Sequence, residues 1–346
     1  MMKVETNMQG RNAAAAASAP STSGAVKGVG RMLRRLLQWR ETGILVAVLV
    51  LLAYFQFASR YFLSWENLGV LGQYAAAPAI IAAGEVMVLI CGELDLSAGQ
   101  VYAMAPFVMY LAQRAGVPGL PATLLAIAAA GVVGLLNGVI TVGLRIPSFV
   151  TTLGMLFFIN GLNLTISGGF PVQPDTHGWL GHVLSGNALV DIGWAVVVAI
   201  VFQAFLAKTR WGLHTLATGG NPIGAAEVGI PTNVVRLGNF VLCSALAGFA
   251  GILDAFRIGS IDPLAGGSQI MFMAIASSVI GGTLLTGGSG TVIGALLGAV
   301  ALGVLKDGFT ILGVSAYTFD MILGAAIVVT MYMNVRLSRI RERGSK

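Results

Sequence analysis

The chain has 346 residues, of which 56% are hydrophobic and only 10% are charged, and its mean hydropathy is +0.84. A soluble domain carries about 25% charged residues. The composition therefore excludes a soluble globular protein and predicts that a bilayer surrounds most of the chain. The net charge of +6 is typical of a membrane protein with basic residues at the ends of its spans. The sequence has no basic stretch interleaved with aromatic residues, so it does not indicate a nucleic-acid-binding surface.

Three regions follow from composition. Residues 1–40 are rich in Ala, Ser, Gly and Thr and end in arginines, which predicts a disordered basic tail. We predict that residues 41–336 form one transmembrane domain and that residues 337–346 form a second basic tail. No small-residue cleavage site follows the first apolar run, so we predict a retained first span rather than a signal peptide.

Apolar runs of about 20 residues predict ten transmembrane helices, and hence an all-α integral membrane protein. The predicted spans cover residues 42–62, 68–91, 97–113, 121–144, 148–167, 191–207, 237–257, 268–286, 290–309 and 317–335.

The distribution of basic residues predicts the orientation. With the N-terminus in the cytoplasm, 16 of the 20 Lys and Arg fall in cytoplasmic segments and four fall outside. This positive-inside bias predicts that both termini are cytoplasmic. It also places the polar stretch 208–236 in the cytoplasm, between the sixth and seventh spans.

The stretch 208–236 contains the signals of a short helix over residues 223–228. Asn221 is a good N-cap, and Pro222 suits the first helical position because its missing N–H costs nothing there. Gly229 suits the left-handed residue that ends a helix, and Pro231 blocks continuation. A helix of two turns is not stable alone, so we expect it to pack against a partner.

Acidic residues mark a polar break between the second and third spans. Glu85, Glu93 and Asp95 lie within eleven residues of each other in an apolar setting. A charge at the centre of a membrane helix costs about 2.5–3.5 kcal/mol. Two interpretations stay open: a broken helix that lines a transport path, or a tight turn in which Asp95 or Ser97 caps the third span.

Three asparagines, Asn137, Asn160 and Asn163, lie inside apolar spans. Buried amides need hydrogen-bond partners. They either bond between helices or face a polar substrate path.

Glycines recur at helical spacing, at Gly134 and Gly138 in the fourth span and at Gly290, Gly294 and Gly298 in the ninth. Such stripes predict close helix packing within the chain, with a dimer seam as the alternative. The glycine-rich loop between the eighth and ninth spans predicts a tight turn, with an anion site as the alternative.

Motifs for catalysis and cofactor binding are absent from the sequence. There is no G-x-x-x-x-G-K-[ST] phosphate-binding loop and no H-E-x-x-H metal motif. The two cysteines, Cys91 and Cys243, lie in apolar segments and predict core packing. We therefore expect neither an enzyme nor a bound cofactor or metal.

Four segments carry a resemblance to a known family. They are GELDLSAGQ at 92–100, LRIPSFVTTLGMLFFINGL at 144–162, ATGGNPIGAAEVGI at 217–230 and AIASSVIGGTLLTGGSGTVIGALLGA at 274–299. The chain resembles sugar permeases of the ribose/xylose/arabinose type in bacterial ABC importers. The resemblance follows the same order of segments over about residues 45–335.

This resemblance implies a complex in the bacterial inner membrane. Two permease chains, identical or different, form the pore within the membrane lipid. Two cytoplasmic P-loop ATPase subunits drive transport, and a periplasmic sugar-binding protein delivers a monosaccharide or related polyol. The short cytoplasmic helix becomes the coupling helix that docks on the ATPase.

The resemblance thus yields two sets of candidate residues. The coupling candidates are Asn221, Pro222, Ala225, Ala226, Glu227 and Gly229. The candidates for the translocation path or helix break are Glu85, Glu93, Asp95, Ser97, Asn137, Asn160 and Asn163.

Two other transport functions remain open from the sequence. An ion-coupled secondary transporter would use Glu85 or Asp95 as a relay and would need no ATPase. A branched-chain amino-acid permease belongs to the same broad type, but the spacing in 92–100 and 217–230 favours a sugar permease.

Overall fold

The computed structural model of the protein describes four stretches of the chain. They are residues 41–265, 267–315, 317–329 and 332. The tails predicted over residues 1–40 and 337–346 lie outside the described residues.

The described chain is almost entirely helical, which confirms the predicted all-α class. The only β pairing among the described residues is an isolated bridge between Val172 and Ile261. The helices are α1 (Thr42–Ala58), α2 (Trp65–Ile90), α3 (Ala98–Arg114), α4 (Gly119–Gly143), α5 (Ser148–Ser167), α6 (Trp179–Ser185), α7 (Ala188–Lys208), α8 (Arg210–Gly220), α9 (Pro222–Glu227), α10 (Thr232–Ile258), α11 (Ser268–Ile280), α12 (Val292–Ile311) and α13 (Tyr317–Val329).

Each predicted span overlaps one of these helices, and residues 330, 331 and 333–335 of the last predicted span lie outside the described residues. Six of them, α2, α4, α5, α7, α10 and α12, are long and apolar enough to cross a membrane. Helices α1, α11 and α13 are shorter apolar helices, and α3 has 17 residues. The number of membrane crossings stays a prediction.

Two predicted boundaries differ from the structure by five or more residues. The eighth span was expected over 268–286, but α11 ends at Ile280 because the chain turns at Gly281 and Gly282, and Gly282 has a φ of 96°. The seventh span was expected from residue 237, but α10 already begins at Thr232. The last five residues of the 208–236 stretch are therefore helical.

Sequence patterns missed two helices, α6 and α8. Helix α6 has only seven residues, too few for an apolar period to show. Helix α8 is capped by Thr209, whose side chain accepts a hydrogen bond from the backbone N–H of Gly212 at 3.2 Å. Its mixture of Gly, Thr, His and Trp does not form an apolar run.

Helix α2 is the centre of the bundle. In its most apolar 18-residue window, 89% of the residues are buried. It packs against α7, α10, α11 and α12, while α10 also packs against α3 and α4. The small residues of its Ala75–Ala83 segment let neighbouring helices approach closely. Helix α5, whose Ile159 is buried in the same core, packs instead against α3 and α4.

The glycine stripes pack helices of this chain against each other. A Cβ atom on Gly134 would lie 2.3 Å from the carbonyl oxygen of Phe240, so α4 and α10 touch through their backbones. A Cβ atom on Gly298 would lie 2.1 Å from the carbonyl oxygen of Ser277, which brings α12 onto α11. Such distances leave no room for a side chain.

Cysteine labelling tests the predicted orientation. Ala226 on α9 and Gln173 in the loop between α5 and α6 are exposed, while the native Cys91 and Cys243 are buried. With a membrane-impermeant maleimide, we expect Ala226→Cys to label only in inside-out vesicles and Gln173→Cys only in spheroplasts. Labelling of both from one face would contradict the ten-span topology.

Candidate functional site

Helix α9 has the local structure that the sequence predicts. The side chain of Asn221 accepts a hydrogen bond from the backbone N–H of Gly224 at 3.0 Å, and Pro222 is the first helical residue. The helix covers Pro222–Glu227 and is followed by Gly229 with a φ of 86°. The predicted cap and left-handed stop are therefore confirmed.

Helix α9 rests on α8 and α10 and turns most of its surface outward. Ala225 is buried, whereas Ala226 and Glu227 are exposed. The apolar side chains of Ile223 and Val228 are 73% and 78% exposed. Helix α9 and its C-cap residue Val228 thus present two large apolar groups away from the bundle. We call α8 and α9 together the loop segment.

The polar break is a compact hydrogen-bonded cluster centred on Asp95. Its Oδ1 accepts from the backbone N–H of Ser97 at 2.9 Å and from the Ser97 hydroxyl at 2.6 Å. Asn137 on α4 donates to the Ser97 hydroxyl at 2.8 Å, and Ser244 on α10 donates to Asp95 Oδ2 at 3.3 Å. All four residues are fully buried. The cluster fixes the start of α3 to α4 and α10.

This geometry supports the structural interpretation of Asp95. Its carboxylate satisfies the N–H of Ser97 at the start of α3, as a helix cap does, while the Ser97 side chain makes no cap of its own. Because the whole cluster is enclosed by one chain, it lines no open channel in this conformation. A role of these residues in the transport path stays a prediction.

Glu85 and Glu93 have different surroundings. Glu85 is fully buried on α2 near Cys243 and Asp95, and its carboxylate oxygens make no hydrogen bond of normal geometry in the described chain. Glu93 is mostly buried, and its Oε1 lies 3.4 Å from Nε of Arg236. That ion pair connects the break to the first turns of α10.

Two of the three predicted asparagines bond between helices. Asn137 belongs to the Asp95 cluster. The amide of Asn163 on α5 donates to the carbonyl oxygen of Gln100 on α3 at 3.3 Å. Asn160 is half-buried and takes no part in these contacts.

Sequence reasoning missed Asn239, which is fully buried on α10. Its amide nitrogen donates to the carbonyl oxygen of Met87 at 3.0 Å and lies 3.2 Å from both Cys91 Sγ and Thr215 Oγ1. Its amide oxygen accepts from the indole N–H of Trp211 at 2.8 Å. An amide inside an apolar span was the available signal, as it was for the three asparagines singled out.

A second polar group near the opposite end of α10 was also missed. Asp191 on α7 accepts from Gln73 at 3.0 Å and from Ser185 at 2.5 Å. Asp254 on α10 accepts from Arg257 at 2.8 Å and from the Tyr102 hydroxyl. Asp191, Gln73, Asp254 and Arg257 are among the residues that line one small cavity between α2, α7 and α10.

The glycine-rich loop after α11 is a tight turn, as favoured from the sequence. The N–H of Leu284 donates to the carbonyl oxygen of Ser289 at 3.0 Å. Gln203 on α7 accepts from the N–H of Val292 at 2.8 Å, and Thr291 accepts from the N–H of Gly294 at 3.1 Å. These side chains occupy N–H groups that an anion would need.

Comparison with known proteins gives the family. Residues 70–331 match the family described as branched-chain amino acid transport system / permease component. The chain belongs to this permease family. It is therefore a multi-pass transport subunit of the inner (plasma) membrane and not an enzyme, and the family predicted from the four sequence segments is confirmed.

Alignments with similar proteins cover most of the permease chain. The xylose/arabinose import permease protein of Sulfolobus acidocaldarius is 36% identical over 302 residues, which cover 85% of this chain and 84% of the relative. The ribose import permease protein of Escherichia coli is 34% identical, with 84% of this chain and 91% of the relative covered. An autoinducer 2 import system permease protein of Escherichia coli is 32% identical, with 90% and 92% covered. No solved structure matches the chain.

Neighbouring glycines at the end of α8 offer a matched test of how this segment is seated. A Cβ atom on Gly219 would lie 1.5 Å from the carbonyl oxygen of Ile90, whereas one on Gly220 would meet nothing within 4 Å. We expect Gly219→Ala to destabilise the permease by about 3 kcal/mol or more, the upper end for overpacking. Thermal unfolding of the purified protein, with the yield of monodisperse protein, measures the effect.

Gly220→Ala is the control, and we expect its unfolding temperature to stay within a degree or two of wild type, since surface changes are worth about 0.5 kcal/mol or less. Equal stability of the two variants would contradict the close backbone contact between α8 and α2.

Proposed function

We propose that the permease forms, with a second permease chain, the translocation path of an ATP-driven importer for a monosaccharide or related polyol. A separate cytoplasmic ATPase binds the loop segment and hydrolyses ATP, and a binding protein on the opposite side delivers the sugar. The relatives named as import permeases for xylose/arabinose and for ribose support the substrate class. Whether the second permease chain is identical is left open.

The exposed face of α9 is the observation that carries the ATPase part of the proposal. Ile223 on α9 and Val228, the C-cap residue directly after it, are two large apolar side chains that the described chain leaves mostly uncovered. Leu213 on the adjacent α8 is 64% exposed. The positive-inside bias predicts that this surface lies in the cytoplasm, where lipid does not cover it. Apolar groups presented together to water are typical of a protein-binding surface.

The need for an external source of energy also supports a cytoplasmic ATPase partner. The sequence has no phosphate-binding loop, so the permease does not hold ATP by that motif. Work from ATP must then enter through a surface that a cytoplasmic subunit contacts. The coupling residues that flank the exposed apolar pair, Asn221, Pro222 and Gly229, set the shape and direction of α9.

The polar break has a supporting part in this proposal. Its hydrogen bonds hold α3, α4 and α10 together inside one chain. We therefore place the sugar path at a surface shared with the second permease chain. Asp95, Ser97 and Asn137 act from behind that surface by setting the positions of the helices that form it.

Charge placed on the α9 surface tests the docking. We expect Ile223→Asp and Val228→Asp to weaken ATPase binding by ~30-fold or more each, since a central apolar contact is typically worth about 2 kcal/mol. Co-purification of the ATPase and uptake of radiolabelled sugar measure the effect, with membrane insertion checked by immunoblot.

Phe170→Asp is the matched control, because Phe170 is 74% exposed and lies in the loop between α5 and α6. We expect it to leave ATPase co-purification unchanged. Full ATPase binding by both α9 variants would contradict the proposed docking surface.

A further inference from the structure

The last turn of α2 is held by residues from two distant parts of the chain. The four terminal carbonyls of a helix have no partner within the helix. Here Met87 accepts from the side chain of Asn239, and Ile90 accepts from the backbone N–H of Gly288 at 2.8 Å. The two carbonyls between them are taken by the backbone N–H groups of residues 91–93. The end of α2 therefore depends on α10 and on the loop before α12.

One side chain joins this end of α2 to the loop segment. Asn239 contacts Met87 and Cys91 at the end of α2, and also Trp211 and Thr215 on α8. Every polar atom of its amide has a partner in the described chain. Because the side chain is fully buried, water cannot replace any of these contacts without opening the core.

The backbones at this junction are also in direct contact. Gly219 of α8 lies against the carbonyl oxygen of Ile90, and the ring of Trp211 lies against Gly238 of α10. A Cβ atom on Gly238 would lie 2.2 Å from the Trp211 ring. Contacts this close do not deform gradually, so a displacement of α8 must displace the end of α2 or break the junction.

The end of α2 leads directly into the polar break. Only three residues separate Cys91 from Asp95, whose carboxylate is buried. Asp95 is bonded to α4 through Ser97 and Asn137. The Glu93–Arg236 ion pair adds a second connection between the break and α10. A shift of the α2 end therefore reaches the starts of α3 and α10.

We infer that Asn239 is the positioning residue that couples the loop segment to the transport helices, by holding α8 to the end of α2 so that the two move together. This inference rests on the proposed function, because it assumes that an ATPase acts on the loop segment. Trp211 has a related role: its indole N–H fixes the direction of the Asn239 amide.

Hydrogen exchange of the permease–ATPase complex in nanodiscs, measured with and without AMP-PNP, tests this coupling. In wild type we expect the nucleotide to change exchange in residues 210–227 and also in residues 88–97, the latter by about fivefold or more, the lower end of typical coupling between sites. In Asn239→Ala the response of residues 210–227 should persist, while that of residues 88–97 is largely lost.

Two tryptophan variants keep the test decisive if Asn239→Ala does not fold. Trp211→Phe retains a ring but removes the N–H that Asn239 accepts, so it should lose the response of residues 88–97. Trp194→Phe removes a similar indole bond, 2.9 Å to the carbonyl oxygen of Val183 on α6, and should respond as wild type does.

Two results would overturn the inference. One is a response confined to residues 210–227 in wild type; the other is an equal response of residues 88–97 in wild type, Asn239→Ala and Trp211→Phe. Failure of the ATPase to bind, or no response in residues 210–227, would instead contradict the proposed function itself. The two failures are therefore distinguishable.

Discussion

The bilayer offers no hydrogen-bond partners, so a helix that ends inside a membrane protein must have its free carbonyls satisfied by the protein itself. Of the six long apolar helices, α2 is the most buried, and the chain turns sharply at its end, at Gly92. Hydrogen bonds from Asn239 and Gly288 satisfy two of the carbonyl oxygens that this turn leaves free. The position of α8, the tight turn before α12 and the start of α3 all follow from how this one end is held.

The same constraint links structure to transport. The side chain that satisfies the end of α2, Asn239, comes from α10 and also contacts α8, which leads into the exposed α9. The loop segment, on whose exposed surface the ATPase is proposed to act, is thereby fixed through α8 to the end of α2. Close contacts at Gly219 and Gly238 make these junctions tight, and tightly packed junctions transmit a displacement without absorbing it.

Local signals predicted well those parts of the permease that local physics determines. Apolar runs located the long helices, because lipid contact requires them. The Asn221–Pro222 pair and Gly229 located α9, because capping involves only neighbouring residues. Asn239 gave the same local signal as the other asparagines, but its partner Met87 is 152 residues away in sequence, and no local pattern chooses such a partner. For Asp95, the sequence left a path and a cap both open, and its distant partner Ser244 supports the structural interpretation.

The energy source of uptake distinguishes an ATP-driven importer from an ion-coupled transporter. Proteoliposomes would hold the permease with its ATPase and binding protein, and uptake of radiolabelled D-xylose and D-ribose would be followed at constant ATP while ionophores collapse the proton and sodium gradients. We predict uptake that requires ATP on the side of α9 and is unchanged by the ionophores. Uptake that stops with the ionophores, or proceeds without the ATPase, would contradict it and favour ion-coupled transport through Glu85 or Asp95.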